Sequence, residues 1–133
     1  MVTPYFLNLI MGNVFKTKTN PEIPENVYLG LSSSAPSEDG TNVNEPPESA
    51  GYERVKLTDL SEPDNGVITN TAPIEFPESL ASWNNVRHFV LYDAPSGGNL
   101  LMYNSLAEFR SVEASTIVMI KTGKLKLTLK NPS

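Results

Sequence analysis

The sequence contains no cysteine, one histidine and one tryptophan. Without cysteine it has no disulfide, no thiolate metal site and no cysteine nucleophile. It has no run of ~18 apolar residues, so no membrane insertion is expected. An excess of basic residues is missing too. Asp and Glu number 15 against 10 Lys and Arg, a net charge of −5. Binding along a phosphate backbone needs the opposite sign, so nucleic acid is not an expected partner. The apolar start MVTPYFLNLIMGNVF lacks the basic opening and small-residue cleavage site of a signal peptide, and no leader is expected.

Chemical motifs are equally scarce. There is no G-x-S-x-G, H-E-x-x-H or phosphate-loop pattern. Gly97-Gly98 falls between two apolar runs rather than ahead of a helix, so it does not cradle an anion. His88 lacks a Ser or Asp at a spacing that would make it a general base, and a lone histidine makes a poor metal site. Its place in a strand-like segment predicts a hydrogen-bonded structural role. Asp39, Asn42, Asn44, Glu45 and Glu48 supply oxygens in one loop, and Asp59, Glu62, Asp64 and Asn65 in another. Calcium takes such ligands, but the spacing of a helix-loop-helix calcium site is absent and turn chemistry accounts for these residues. No cofactor is expected, with calcium on one of these loops as the minor alternative.

What is present is turn-rich and periodic. The chain has 133 residues, 39% of them apolar, with 11 prolines and 8 glycines. That length suits one domain over residues 1–133. Thr3-Pro4 reads as a helix cap and first turn. Phe6, Leu7, Leu9, Ile10, Met11 and Val14 then recur near the helical spacing. A helix over 4–15 follows, apolar on more than one side and therefore in need of cover. Residues 16–26 carry two prolines and end it.

Strand signals occupy the rest. Alternation predicts strands at Val27–Ser32, Tyr52–Thr58, Val67–Thr71, Ile74–Phe76, Val86–Tyr92, Leu100–Leu106, Thr116–Ile120 and Gly123–Lys130. Residues 33–51 form a long acidic loop. Asn65-Gly66 is a two-residue hairpin signal. Residues 77–85 read as a turn or single helical turn, and 107–116 as a connection. Val86–Tyr92 carries bulk on both faces, as a central strand does. With Leu100–Leu106 it makes a central hairpin, Trp83 closing one end and Phe89, Leu91, Leu101 and Tyr103 filling the interior. One short helix followed by seven or eight strands predicts an all-β, antiparallel, jelly-roll-like sandwich.

Charge is unevenly spread. Twelve acids and two bases lie between Glu22 and Glu78, and four lysines without an acid between Lys121 and Lys130. These are either two solvated faces or complementary ends of neighbouring copies.

Several segments carry a resemblance. The helix Thr3–Phe15 leads to Val27-Tyr28-Leu29-Gly30-Leu31-Ser32 and an Asp/Gly/Asn/Glu-rich loop. Gly51-Tyr52-Glu53-Arg54-Val55 and Asn70-Thr71-Ala72-Pro73-Ile74-Glu75-Phe76-Pro77 come next. Trp83 to Phe89, Asp93 to Leu101, and the Leu125, Leu127, Leu129 strand complete the string. In this order they resemble small bacteriophage virion proteins described as tail-fibre or minor tail proteins. Trp83 to Leu101 is the most specific part. Pro95 departs from the small residue that often follows Asp-Ala there. The resemblance implies a non-enzymatic structural component of the virion, assembled as an oligomer with itself and other phage structural proteins. Tail, collar and capsid positions are all compatible with it.

Two further readings stay open at the level of residues. A carbohydrate-binding module would use Trp83, Tyr28 and Tyr52 as stacking platforms for a host surface glycan. A glycan esterase or lysin fragment would need a nucleophile–base pair that the sequence does not display. For assembly, the expected contacts are Tyr5, Phe6, Leu9 and Ile10 on the helix and Asp39, Glu45 and Glu48 on the loop.

Overall fold

A computed structural model describes residues 1–17 and 23–129, with the side chains of 107–110 excepted. The expected strand end at Lys130 and part of the break after the helix, 18–22, lie outside the described residues.

The chain opens with α1 (Pro4–Val14). Thr3 is extended, and its hydroxyl accepts the Phe6 N–H at 3.2 Å. Pro4 takes the first turn, where its missing N–H costs nothing. The helix closes with the Phe15 N–H on the Met11 carbonyl, and Lys16 then turns left-handed at φ 55°.

Among the described residues eight strands follow: β1 (Tyr28–Ser32), β2 (Val55–Lys56), β3 (Val67–Thr69), β4 (Ile74–Glu75), β5 (Trp83–Tyr92), β6 (Leu100–Val112), β7 (Met119–Ile120) and β8 (Lys126–Thr128). A four-stranded antiparallel sheet runs in the order β2-β1-β5-β6, with β3 paired to β8 and β4 to β7. The molecule is an all-β, antiparallel sandwich with one short N-terminal helix. As its bulky double-sided pattern requires, β5 lies inside the sheet.

Several expected boundaries move, each for a visible reason. β2 shrinks from Tyr52–Thr58 to two residues because the Tyr52 phenol oxygen accepts the Leu31 N–H at 3.0 Å, where a ladder bond would otherwise form. β5 begins at Trp83, and β6 continues through the expected connection to Val112, because the two pair past register shifts as far as Trp83 opposite Val112. Of the turn or single helical turn expected at 77–85, the chain shows a bend at Leu80-Ala81 without a helical turn, and Trp83 already belongs to β5. A short 3-10 turn instead sits at Glu48–Ala50, within the long loop.

Side-chain alternation gives the central sheet two covered faces. On the inner face Leu29, Leu31, Phe89 and Leu91 join Trp83, Val86 and Val112, and they meet Phe76, Val118 and Leu125 from the second layer. Fully burying each such side chain is worth roughly 1.5–3 kcal/mol. On the outer face Val90, Tyr92, Leu100 and Tyr103 form a separate cluster beneath Val43 of the long loop. Tyr103 therefore fills the outer cluster, not the interior expected for it. Asn70, almost fully buried, ties the second layer together. Its amide donates to Ala72 O at 2.9 Å and Lys121 O at 3.0 Å, and its oxygen accepts the Leu125 N–H at 3.0 Å.

The free edge of β6 is covered by the chain's own start. Val2 bridges to Met102, Tyr103 N–H donates to Met1 O at 2.9 Å, and Thr3 N–H to Leu101 O at 3.0 Å. The Thr3 hydroxyl also lies 2.7 Å from Leu100 O, anchoring the start of α1 to β6.

Candidate assembly surface

α1 is amphipathic only in part. Leu9 and Gly12 are buried, and Phe6 and Ile10 are half-buried. Phe6 and Ile10 look into a groove of about 560 Å³ whose opposite wall is Leu57, Leu60, Ile68 and Leu127. The outward side remains apolar: Leu7 is 42% exposed, Met11 55% and Val14 65%, at the i, i+4, i+7 spacing of one stripe. Between Pro4 and Val14 there is no charged residue.

The expected helix contacts therefore divide. Phe6, Leu9 and Ile10 all line the groove, Leu9 being buried there, and Tyr5 turns the other way, beside Asp39, Gly40 and Leu100. On α1 the residues most available to a partner are Leu7, Met11 and Val14, none of them among the contacts expected from the sequence. Their common stripe is visible in the sequence. Their exposure is not, since it depends on which side of α1 meets β6.

The long loop is less free than its composition suggests. Asp39 is exposed and folds its carboxylate onto the Thr41 N–H at 3.0 Å and hydroxyl at 2.6 Å, a local turn. Those bonds hold its carboxyl below the usual range. Glu48 is exposed at the 3-10 turn. Glu45 points inward. Its carboxylate receives Arg54 Nε at 2.8 Å and Nη2 at 3.0 Å, and the Tyr52 hydroxyl at 2.7 Å. Arg54 Nη1 reaches the Ala94 and Gly97 carbonyls, each at 2.8 Å, and the guanidinium lies 3.7 Å from the centre of the Tyr92 ring. One arginine thus fastens the acidic loop to the β5–β6 turn. Burial and then Glu45 push both the Tyr52 and Tyr92 phenols above their ordinary range.

The proposed stacking platforms are largely enclosed. Trp83 is 2% exposed, its indole N–H donating to Ala50 O at 3.0 Å. Tyr52, 4% exposed, meets Trp83 edge-on at 5.5 Å and stacks on Phe76 at 6.3 Å. A sugar stacks on a ring face open to solvent, and neither ring offers one. Tyr28 is half-buried.

His88 stands half-buried opposite Ser32 and Ser105. The Ser32 hydroxyl is occupied by Ser34 O at 2.7 Å and the Asn44 N–H at 3.0 Å. Among the described residues His88 makes no side-chain hydrogen bond, unlike the role expected for it. Burial, and then Arg87, hold its pKa below the ordinary value. Among the described residues no three His, Asp or Glu side chains are placed to share a metal ion, and no helix is long and apolar enough to cross a membrane.

These features define a small β-sandwich scaffold whose distinctive surface is an uncovered apolar helix face. The chain belongs to the family described as podophage GP4 fiber I protein gp80, whose family model matches residues 2–128. That is a phage fibre family, in agreement with the resemblance carried by Trp83 to Leu101, and the match spans α1 and all eight strands. A search of curated proteins found no match.

Proposed function

We propose that the chain is a non-enzymatic structural component of the fibre apparatus on a phage particle, folded as one unit and held there as an oligomer beside other phage structural proteins. The observation that carries this reading is the fibre-family match across residues 2–128. The geometry supports it. The conspicuous unpartnered surface is apolar, and the most elaborate polar network, around Arg54, joins the protein to itself. Repetition of modest contacts in fixed geometry gives durable attachment, which is what a fibre component has to supply.

The test is immunogold labelling of intact particles by negative-stain microscopy, with antibody raised against the folded chain. Label on fibres is expected. Label on the capsid shell or collar would move the protein to a decoration or collar role, and particles without label would remove it from the virion.

A further inference from the structure

We propose that the cleft between the two layers, beside β6 and the turn 121–124, binds a small anionic amphiphile, a medium-chain alkyl carboxylate. The inference is independent of the fibre reading and goes beyond it.

Between β6 and the segment 118–125 a cleft of about 350 Å³ opens. Its floor is the core itself. Leu31 and Phe89 come from the central sheet, Val118 and Leu125 from the second layer, and all four are buried. Leu106 and Ile120, half-buried, add apolar walls. Ligand sites are commonly concave spaces of ~300–1,000 Å³, apolar inside with a few polar groups that fix orientation. At the ~30 Å³ that a water molecule fills in the liquid, this cleft holds on the order of ten non-hydrogen atoms. A single alkyl chain matches that volume, and a two-chain lipid is too large for it.

The rim sets the sign of the head group. Lys121 and Lys124 line the cleft beside Ser105, and its described lining residues include no acid. Among the described residues neither lysine forms an ion pair. The backbone that carries them is held in place. The Lys124 N–H donates to Lys121 O at 3.0 Å, the Gly123 N–H to Asn70 O at 2.9 Å, and the buried Asn70 amide to Lys121 O at 3.0 Å. Gly123 takes φ 79° to close this turn. The chain carries −5 overall, yet four of its ten bases lie within Lys121–Lys130 without an acid. An anion is therefore drawn to this end of the molecule rather than to the acidic loop.

The two halves of the site select together. An uncharged apolar ligand would forgo the lysines, and a wholly polar anion would leave the apolar floor unused. An alkyl carboxylate lays its chain against Phe89 and Val118 and offers its head to Lys121 and Lys124. The groove beside α1 is also apolar, but no charged residue is among its described lining, so it gives an anionic head nothing to bind.

The test is calorimetric titration and methyl-resolved NMR of the full chain with octanoate and decanoate, each below the concentration at which it forms micelles. One decanoate per chain is expected, with shifts at Leu106, Val118 and Ile120. Each methylene gained is worth about fourfold, so decanoate should bind about fifteenfold more tightly than octanoate. Decylamine, the same chain with the opposite charge, should bind at these methyls at least about tenfold more weakly than decanoate. Shifts confined to the α1 groove at Ile10 and Ile68, the absence of a saturable shift, or equal binding of the two head groups each overturns the proposal.

A pair of variants separates the site from overall charge. Lys121→Gln/Lys124→Gln should weaken decanoate about tenfold. Its circular dichroism and melting temperature should match the parent, because both side chains are exposed. Lys56→Gln/Lys126→Gln makes the same change in net charge at exposed positions outside the cleft and should bind as the parent does. Equal loss in the two variants, or no loss in the first, overturns the site. Particle labelling is read separately, and neither result alters the other.

Discussion

At the scale of residues, the long loop is held by few groups, which makes its attachment testable. Replacing Arg54 by Ala leaves Glu45 without its cation and frees two turn carbonyls. The Arg54 side chain is only 6% exposed. Breaking a partly buried, hydrogen-bonded pair of this kind should cost about 2–4 kcal/mol, read as a lower urea midpoint. Arg54→Lys keeps the charge and loses the fork, so it should fall between parent and Ala. A midpoint for Arg54→Ala within about 0.5 kcal/mol of the parent would show that the network does not hold the loop. His88 gives a pH signature. Its folded pKa lies below its ordinary value of 6.5 through burial, then Arg87. The unfolded chain therefore takes up the proton first. The contribution is present in full above the ordinary value, is lost as pH falls through it, and levels off once the folded chain also protonates. Midpoints from pH 8 to 5 should fall as pH drops below the ordinary imidazole value of 6.5, a fall that His88→Gln lacks. An identical pH dependence in the two proteins would assign the step elsewhere.

At the scale of elements, the contrast between legible and illegible parts is physical. The Asn65-Gly66 hairpin was visible because its chemistry is local. Both residues adopt positive φ, 53° and 78°, and Asp64 and Val67 exchange backbone bonds at 3.0 and 3.1 Å. Gly66→Ala should then cost about 1–2 kcal/mol, since a side chain resists that backbone region. A thermal scan showing no loss would mean that the turn relaxes freely. α1 was also legible, from Thr3-Pro4 and its spacing. The end of β6 was not. Residues 107–112 carry charge and no clean alternation, and the strand persists there only because Trp83–Val86 pairs with it across bulges. Nor could alternation show the acidic loop lying on the sheet. That depends on Val43 packing against the outer cluster, and on Arg54 reaching Glu45. The same limit applies to the exposed face of α1. Sequence showed that α1 is apolar on more than one side, but which side stays open is decided by β6. Thr3 is the hinge of that decision. Thr3→Val removes its bonds to Leu100 O and from Phe6 N–H and should lower stability by about 1–2 kcal/mol.

At the scale of the whole molecule, the second layer exists only when distant segments close it. β3 has β8 as its partner and β4 has β7, and the Asn70 side chain accepts from Leu125, 55 residues away. The Thr3 hydroxyl reaches Leu100 across 97 residues. Contacts of such separation favour slow, concerted folding, in the millisecond-to-second range typical of β-sandwiches. A chain stopped at Ser115 retains the central hairpin and the start of α1. It lacks Val118 and Leu125, which cover the inner face at Leu29, Leu31 and Phe89, and it leaves Asn70 buried or stranded without Leu125 and Lys121. Such a chain should show no cooperative urea transition, should bind a hydrophobic dye, and should report Trp83 in a wet environment by its fluorescence, whereas the full chain keeps that indole enclosed. A truncated chain with a cooperative transition and a shielded Trp83 would mean that the sheet and its loop fold alone, with β7 and β8 as an appendage. If cooperativity is lost, the apolar groove is itself a product of complete folding, because Leu127 and Leu129 form part of its wall.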